Sequence, residues 1–467
     1  MNNRLAHLRF AHAPLALCLA ALLPLFTGCS ALRSDYQTPE VAMPAAWQQD
    51  VSKATASQAT GLWWQAFDDP RLNALITEVL RQNADLALAG IKLRKARLQA
   101  DLTATNQTPD LAIGANTQVS APLNGGDSTR NYSTQASLSY ELDLWGRLAS
   151  SRDATRWEAE ATAQDKAATA LSLVGTTAAL YWQIGYLNES LTLGEANLAD
   201  TRRALELATL KHQAGATDGL DLLQAQQDLA TQEAALTQTR QQLIEQRNAL
   251  ALLFDAAPEQ WQSQELASLN DRALPLVPAG LPAELLARRP DLQASEMRLR
   301  STLASGDNTR LSLYPVLSLT GSAGGESPSL SQVLQDPVGT LGAGLTLPFV
   351  NWNQQQLNVQ LADADYAQAV VEFRQSLYQA LSEVENKLAA SRHYQLQADQ
   401  LQAAFELAQR SEQLAEVRYR QGATGVQSWL DEQQKRRTAE LALAENRLNQ
   451  LNNRMQLFQA LGGGSSR

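Results

Sequence analysis

Q-A-G-A-T-D-G-L-D-L-L-Q-A-Q-Q runs from Gln213 to Gln227, and R-Q-G-A-T-G-V-Q-S-W-L-D-E-Q-Q repeats its plan from Arg420 to Gln434. Gly215, Ala216 and Thr217 correspond to Gly422, Ala423 and Thr424, an offset of 422 − 215 = 207 residues. Each copy lies between long stretches that are rich in Ala, Leu, Gln and Glu and free of proline. A glycine among polar residues inside such a pattern is a helix stop and restart. Each copy therefore predicts the tip of a long antiparallel helical hairpin. A repeat near half the chain length means a duplicated domain fused head to tail, not a short-period solenoid.

The flanks say what kind of helices these are. Leu222, Leu229, Leu236, Leu243 and Leu250 recur at sevens after the first tip, and Ile184, Leu191, Leu198 and Leu205 before it. After the second tip Leu441, Leu448 and Met455 make one seam, with Leu451 and Phe458 three residues on. Sustained heptads predict coiled-coil packing. The helix before the first tip, from about Ser150 to Gln213, would be roughly 95 Å long at 1.5 Å per residue.

The 467 residues carry a net charge of −10. An acidic balance without basic clusters argues against nucleic acid as a partner. Arg4 and Arg9 precede an apolar run from Leu15 to Phe26, too short to stay as a spanning helix, and Thr27-Gly28-Cys29 follows. A small residue before Cys is the lipoprotein cleavage pattern. Residues 1–28 are thus expected to be a signal peptide and Cys29 the lipidated first residue of the mature chain. Ser30 in place of Asp after it points to the outer membrane. Cys18 falls in the segment to be removed, so the mature body holds no other thiol for disulfide, metal or nucleophilic chemistry.

Between the leader and the first hairpin the period changes. Ser30 to Thr60 reads as an extended strap. Asp69 before Pro70 reads as a helix cap with proline at the first position, followed by an apolar face at Leu72, Leu75, Ile76, Val79 and Leu80. A second helix runs from about Asp85 to Leu102. Leu111, Ile113, Ala115, Thr117 and Val119 then alternate with polar or small residues. Tyr132, Thr134, Ala136, Leu138, Tyr140, Leu142 and Leu144 alternate with Ser133, Gln135, Ser137, Ser139, Glu141 and Asp143. The second half echoes this. Leu281 to Asn308 reads as helical, Leu317 to Ala323 alternate, and Leu341, Ala343, Leu345, Leu347 and Phe349 alternate with Gly342, Gly344 and Thr346. Two-fold alternation over about ten residues suits a membrane barrel strand, apolar to lipid and polar to lumen; half-buried strands of a soluble sandwich look the same. Four strands cannot close a barrel, whose smallest membrane forms have about eight, and open edges are not tolerated in lipid. The chain must then oligomerise, at least to a dimer and more comfortably to a trimer of twelve strands.

An enzyme needs a constellation, and none is visible. His212 and His393 each stand alone on a predicted helix, no second ligand sits at metal spacing, and Gly339, Gly342 and Gly344 open a strand rather than a phosphate-binding helix. No catalytic site, metal or cofactor is expected.

Taken in order, these motifs resemble the TolC-like outer-membrane factors, and within them the NodT/OprM-type efflux outer-membrane lipoproteins. The resemblance rests on Cys29, the Leu62-Trp63-Trp64…Phe67…Asp69-Pro70…Leu72 block, Tyr140-Glu141-Leu142-Asp143-Leu144-Trp145-Gly146, Arg288-Arg289-Pro290-Asp291 and the two tips. It implies a mixed α/β membrane protein: a trimeric β-barrel with four strands per chain, continued by a long coiled-coil α-helical barrel in the periplasm. The duplication divides the chain into a first structural repeat at 29–255, an equatorial connector at 256–284 and a second repeat at 285–467. The resemblance further implies a homotrimer anchored in outer-membrane lipid, with a periplasmic adaptor and a proton-driven inner-membrane transporter as partners. It implies a passive exit duct for small molecules; the same fold also serves as a protein-secretion duct.

Site residues follow by position. Gly215, Ala216, Thr217, Gly422 and Ala423 match the tips at which relatives dock their adaptor. Relatives close the gate with a tyrosine just before the second tip, an Asp just after the first, and acidic rings after the second. Those positions match Tyr419, Asp221 and Asp431. Thr424 and Ser428 stand where relatives carry charge, so a hydroxyl network is expected in place of part of the charged lock, together with a tyrosine–carboxylate hydrogen bond. Glu141 and Asp143, on the polar face of the clearest strand, are expected to give the lumen a charge that favours cations.

Overall fold

The computed structural model of the protein describes residues 32–48, 62–258, 265–269, 271–277 and 279–463. Cys29 and the leader lie outside the described residues. The fold begins as the Asp69-Pro70 pair dictates. Asp69 Oδ1 accepts from the N–H groups of Arg71 and Leu72 at 3.0 and 3.2 Å, and Pro70 opens helix α1 (Pro70–Gln82). Asn83 ends α1 in an extended conformation, and its Oδ1 accepts from Leu86 N–H to start α2 (Ala84–Ala104).

Strands β1 (Asp110–Ser120), β2 (Thr129–Leu142), β3 (Val316–Ser327) and β4 (Val338–Thr346) form one antiparallel sheet in sequence order. Its register sorts the faces as the alternation predicts. Leu111 pairs with Leu138, Tyr140 with Leu319, and Leu317 with Leu345 on one face. Ser139 pairs with Thr320, Ser322 with Thr340, and Glu141 with Ser318 on the other. The edge strands β1 and β4 are exposed along their whole length, and Ile113 and Leu341 are 81% and 95% exposed. The alternation ran on to Phe349, but β4 stops at Thr346. Pro348 has no N–H to give the ladder and opens a short 3-10 turn, Pro348–Asn351.

Helix α3 (Arg147–Gln213) has 67 residues, about 100 Å of helix. It is followed by α4 (Gly219–Leu253), α5 (Pro290–Leu311), α6 (Trp352–Arg420) and α7 (Val426–Ala460). The helical reading of Leu281 to Asn308 is broken in one place. A single turn, Leu285–Arg288, ends at Arg289, which the following proline holds extended at φ −84° and ψ 119°. Among the described residues no helix is long and apolar enough to cross a membrane.

The chain divides into two compact units, each taking segments from both halves of the duplication. The first comprises Met1–Glu40, Leu93–Thr162 and Ala294–Arg374, and holds the sheet. In it, Asp143 sits one residue past β2 and caps α3, accepting from Leu148 N–H at 3.0 Å and Ala149 N–H at 2.7 Å. Gly146 makes the turn into α3 with φ +80°, a conformation that costs a side chain dearly. Trp145 donates to the Pro315 carbonyl at 2.8 Å and packs on Tyr314. The strap is tied down here by an Arg33–Asp153 ion pair and by Ser34, whose N–H and hydroxyl both donate to Asp307.

The second unit comprises Val41–Lys92, Ala163–Gln293 and Gln375–Arg467. Its core explains the tryptophan block: Trp63 stacks on Phe458 at 5.3 Å, Phe67 meets Trp182 at 5.1 Å, and Leu72, Ile76 and Leu377 fill in below. Tyr181 donates to Asp69 Oδ2 at 3.1 Å, so that the capping carboxylate also satisfies a buried phenol. Leu236, Leu243 and Leu250 on α4 and Ile184 and Leu198 on α3 are buried, as are Leu448, Leu451, Met455 and Phe458 on α7. The heptad seams of the sequence are therefore the packed faces of these helices. Arg289, 9% exposed, is fixed by Asp291, by Glu383 at 2.8 Å and by the Ala460 carbonyl at 3.1 Å.

Candidate functional site

The two repeated tips lie in the second unit and are built alike. At the end of α3, Gly215 N–H donates to His212 O at 2.9 Å and Ala216 N–H to Lys211 O at 2.8 Å. At the end of α6, Gly422 N–H donates to Tyr419 O at 3.0 Å and Ala423 N–H to Arg418 O at 2.9 Å. Both are Schellman stops, and both glycines are left-handed, with φ +70° and +75°. Gly215, Ala216, Gly422 and Ala423 are exposed and Thr217 is half-buried. The restarts differ. Asp218 Oδ1 caps α4 by accepting from Leu220 and Asp221 N–H, whereas Gly425 starts α7 without a side-chain cap.

Of the residues matched to a gate, Tyr419 is the most deeply set, with no exposed surface, in a small cluster with Ala204, Val426, Trp429 and Leu430. Its ring stacks on Trp429 at 5.6 Å. Burial, and after it the nearby charge of Asp221, pushes its phenol above the ordinary value. Asp221 is half-buried and abuts Gly425, where an added Cβ would come 3.5 Å from its Oδ1. The expected tyrosine–carboxylate hydrogen bond is absent from this chain: the Tyr419 hydroxyl has no partner among the described residues, and neither does that of Thr424. Asp431 is exposed and accepts from Gln427 at 2.6 Å, and Ser428 is exposed beside it, so these two are not gathered around Tyr419. What does meet Tyr419 is Lys211. Its Nζ lies 3.8 Å above the ring and donates to the Tyr419 carbonyl.

Glu141 and Asp143, expected to charge the lumen, both have partners in this chain. Glu141 is held by both carboxylate oxygens to Arg147, at 2.7 and 2.9 Å, and Asp143 is the α3 cap. Neither is a free carboxylate on the polar face. That face is mainly hydroxyl and amide, Ser133, Gln135, Ser137, Ser139, Ser318, Thr320 and Ser322, with Glu326 bonded to Asn131. Among the described residues no cluster of His, Cys, Asp and Glu could hold a metal, and His212 Nδ1 lies against the Thr217 carbonyl at 3.3 Å.

Two features define the class. One is a sheet apolar on one face, hydroxyl-lined on the other and unpaired at both edges; the other is a pair of long helical hairpins ending in matched tips. This is the material of an outer-membrane channel. The comparisons agree. Residues 75–254 and 281–463 match the family described as Outer membrane efflux protein. Over 464 residues, 97% of this chain and 98% of the relative, it is 32% identical to the pyoverdine export outer membrane protein OpmQ of Pseudomonas putida. It is 27% identical over 404 residues, 86% of this chain and 88% of the relative, to toxin and drug export protein A of Aggregatibacter actinomycetemcomitans. Among solved structures, the Neisseria gonorrhoeae MtrE outer membrane channel in its open state superposes with TM-score 0.82 at 28% identity, covering 92% of this chain and 98% of that one. The Campylobacter jejuni CmeC channel does so with TM-score 0.86 at 25% identity, covering 93% and 95%. The chain belongs to the outer membrane efflux protein family. It has that family's barrel and coiled-coil architecture, with a large periplasmic helical part, and its members are transport channels without catalysis. Family membership implies a tripartite assembly with an adaptor and an inner-membrane transporter.

Proposed function

We propose that the chain is the exit duct of a tripartite efflux pump for small molecules. In this reading it works as a homotrimer fed by a periplasmic adaptor and a proton-driven inner-membrane transporter. The observation that carries the trimer is the unpartnered surface. The four-stranded sheet is open at β1 and at β4, and three copies supply the twelve strands of one closed barrel. The helices agree. Helix α2 has no buried residue, and Leu88, Ile91, Leu98 and Leu102 line one exposed face of it. On α6, Leu357, Val371, Tyr378, Leu396, Leu407 and Leu414 are exposed at intervals of 14, 7, 18, 11 and 7 residues, each close to whole helical turns. Such stripes suit neighbouring copies in a helical barrel.

Small molecules as cargo are supported by the full-length likeness to a pyoverdine exporter. A protein cargo is the second reading, favoured by the likeness to toxin and drug export protein A. Deleting the chain is expected to raise retention of a fluorescent efflux dye severalfold, with full restoration by a plasmid copy. Unchanged dye retention together with loss of a protein from the medium would replace the first reading by the second.

Lipid anchoring at Cys29 is part of the proposal and rests on the Gly28-Cys29 junction. Each acyl chain adds roughly 0.8 kcal/mol of anchoring per buried methylene. Because the barrel also holds the protein in the membrane, Cys29→Ala is expected to slow assembly more than it lowers efflux. Mass spectrometry of the mature N-terminus should find diacylglycerol and an N-acyl chain on Cys29; an unmodified terminus at another residue refutes the anchor.

A further inference from the structure

We propose that Lys211 is the latch of the closed tip: its ammonium, seated on the Tyr419 ring and on the carbonyl end of α6, ties the second hairpin to the first. The proposal deepens the exit-duct reading and rests on it. It starts from the geometry of one side chain. Lys211 stands in the last turn of α3, and its Nζ is 3.8 Å from the Tyr419 ring centroid, well inside the reach of a cation–π contact. The ring is fully buried, so water does not compete at its face, and Trp429 stacks on it at 5.6 Å with 30° between the planes. The same ammonium donates to the Tyr419 carbonyl. That carbonyl also takes the Gly422 N–H of the Schellman stop, and lies where the helix end concentrates partial negative charge. One cation therefore bonds both the side chain and the backbone of Tyr419.

The tyrosine hydroxyl, by contrast, makes no bond among the described residues. In this chain the ring and the carbonyl hold the tip, and the phenolic oxygen does not. Any opening that carries the end of α6 away from the end of α3 must pull Lys211 off the ring and bare Tyr419 and Trp429. Helix ends that splay are an established kind of switch, and a few contacts of this strength are enough to set its balance while leaving it open to reversal by a docked partner.

The test separates ring, charge and hydroxyl in the full-length purified protein, reconstituted in planar bilayers without partners. Lys211→Met keeps the stem and loses the charge; Tyr419→Leu loses the ring. Both are expected to raise open probability about tenfold, the order a desolvated cation–π contact supports. Lys211→Arg and Tyr419→Phe are expected to stay near the parent, since each keeps a cation on an aromatic face. Melting near the parent's and an unchanged oligomer band on gels show that each variant is intact; Tyr419→Leu, which empties part of a buried cluster, is expected to melt lower and is read only where its oligomer band persists. If Lys211→Met destabilises the protein, Lys211→Gln replaces it. Unchanged gating in Lys211→Met overturns the latch. A Tyr419→Phe variant as open as Tyr419→Leu overturns it too, and assigns closure to the hydroxyl. A protein that conducts in none of these forms overturns the duct reading itself, and the latch with it.

Discussion

Ile91→Glu together with Leu98→Glu is expected to leave the protein unable to assemble, and efflux to fall to the level of a deletion strain. Both side chains are exposed in the single chain, at 63% and 58%, on a helix that buries nothing of its own. A surface Leu or Ile that is truly free tolerates a charge within about 0.5 kcal/mol. One that is covered in an assembly does not. Each lost apolar side chain removes about 1.5–3 kcal/mol of burial, and each carboxylate adds a desolvation cost of several kcal/mol. In a trimer both terms are counted three times, which exceeds the stability of most interfaces. Analytical ultracentrifugation in detergent should show the shift from trimer to monomer. A trimer that persists with both glutamates in place would mean that α2 faces water, and that the copies meet elsewhere.

Arg289→Ala is expected to destabilise the second unit strongly. Arg289 bonds Asp291, Glu383 and the Ala460 carbonyl, joining the start of α5, the body of α6 and the end of α7. Its side chain is 10% exposed, but those of Asp291 and Glu383 are about half exposed, so the loss falls below that of a fully buried pair. About 2–3 kcal/mol is the expected cost, read as a drop in melting temperature and in trimer yield. The pH dependence has a definite sign. Burial alone would raise the Asp291 carboxyl, but Arg289 outweighs it and holds the group below the ordinary carboxylate value. A depressed carboxyl contributes stability that is full above its unfolded value and is lost as pH falls through the folded one. The parent should therefore lose stability in excess of Arg289→Ala as pH falls below the ordinary carboxylate value of about 4, measured by melting through the acid range. Parallel pH curves for the two would mean that the pair contributes nothing.

Much of this architecture is legible in the chain because its signals are periodic. The strand faces follow from alternation, and the observed register pairs Leu111 with Leu138 and Ser139 with Thr320 as that alternation requires. The tips are legible because they occur twice and because both glycines must be left-handed. Asp143 shows what alternation leaves out: a helix cap placed directly after a strand continues the polar alternation, and only the following Trp145-Gly146 turn marks the change of element. The partner of Glu141 is not legible from the strand pattern, because Arg147 already belongs to the helix. Lys211 is missed for a different reason, since its partner is 208 residues away. A hint exists: the 207-residue offset places Arg418 opposite Lys211 and His212 opposite Tyr419, so a cation precedes both tips while the aromatic cage occurs at one. The apolar stripes of α2 and α6 read as ordinary helix faces in the sequence, and the single chain leaves them uncovered.

Copies of this chain that close into one gated duct across the outer membrane must carry a stepwise current. The direct measurement is current through purified protein, whose trimer mass is confirmed beforehand, in planar bilayers. Rare, brief conductance steps are expected from the parent, and frequent, long-lived steps of the same size from Lys211→Met. Trimers that insert yet pass no stepwise current, with the parent and with the variant alike, would contradict it.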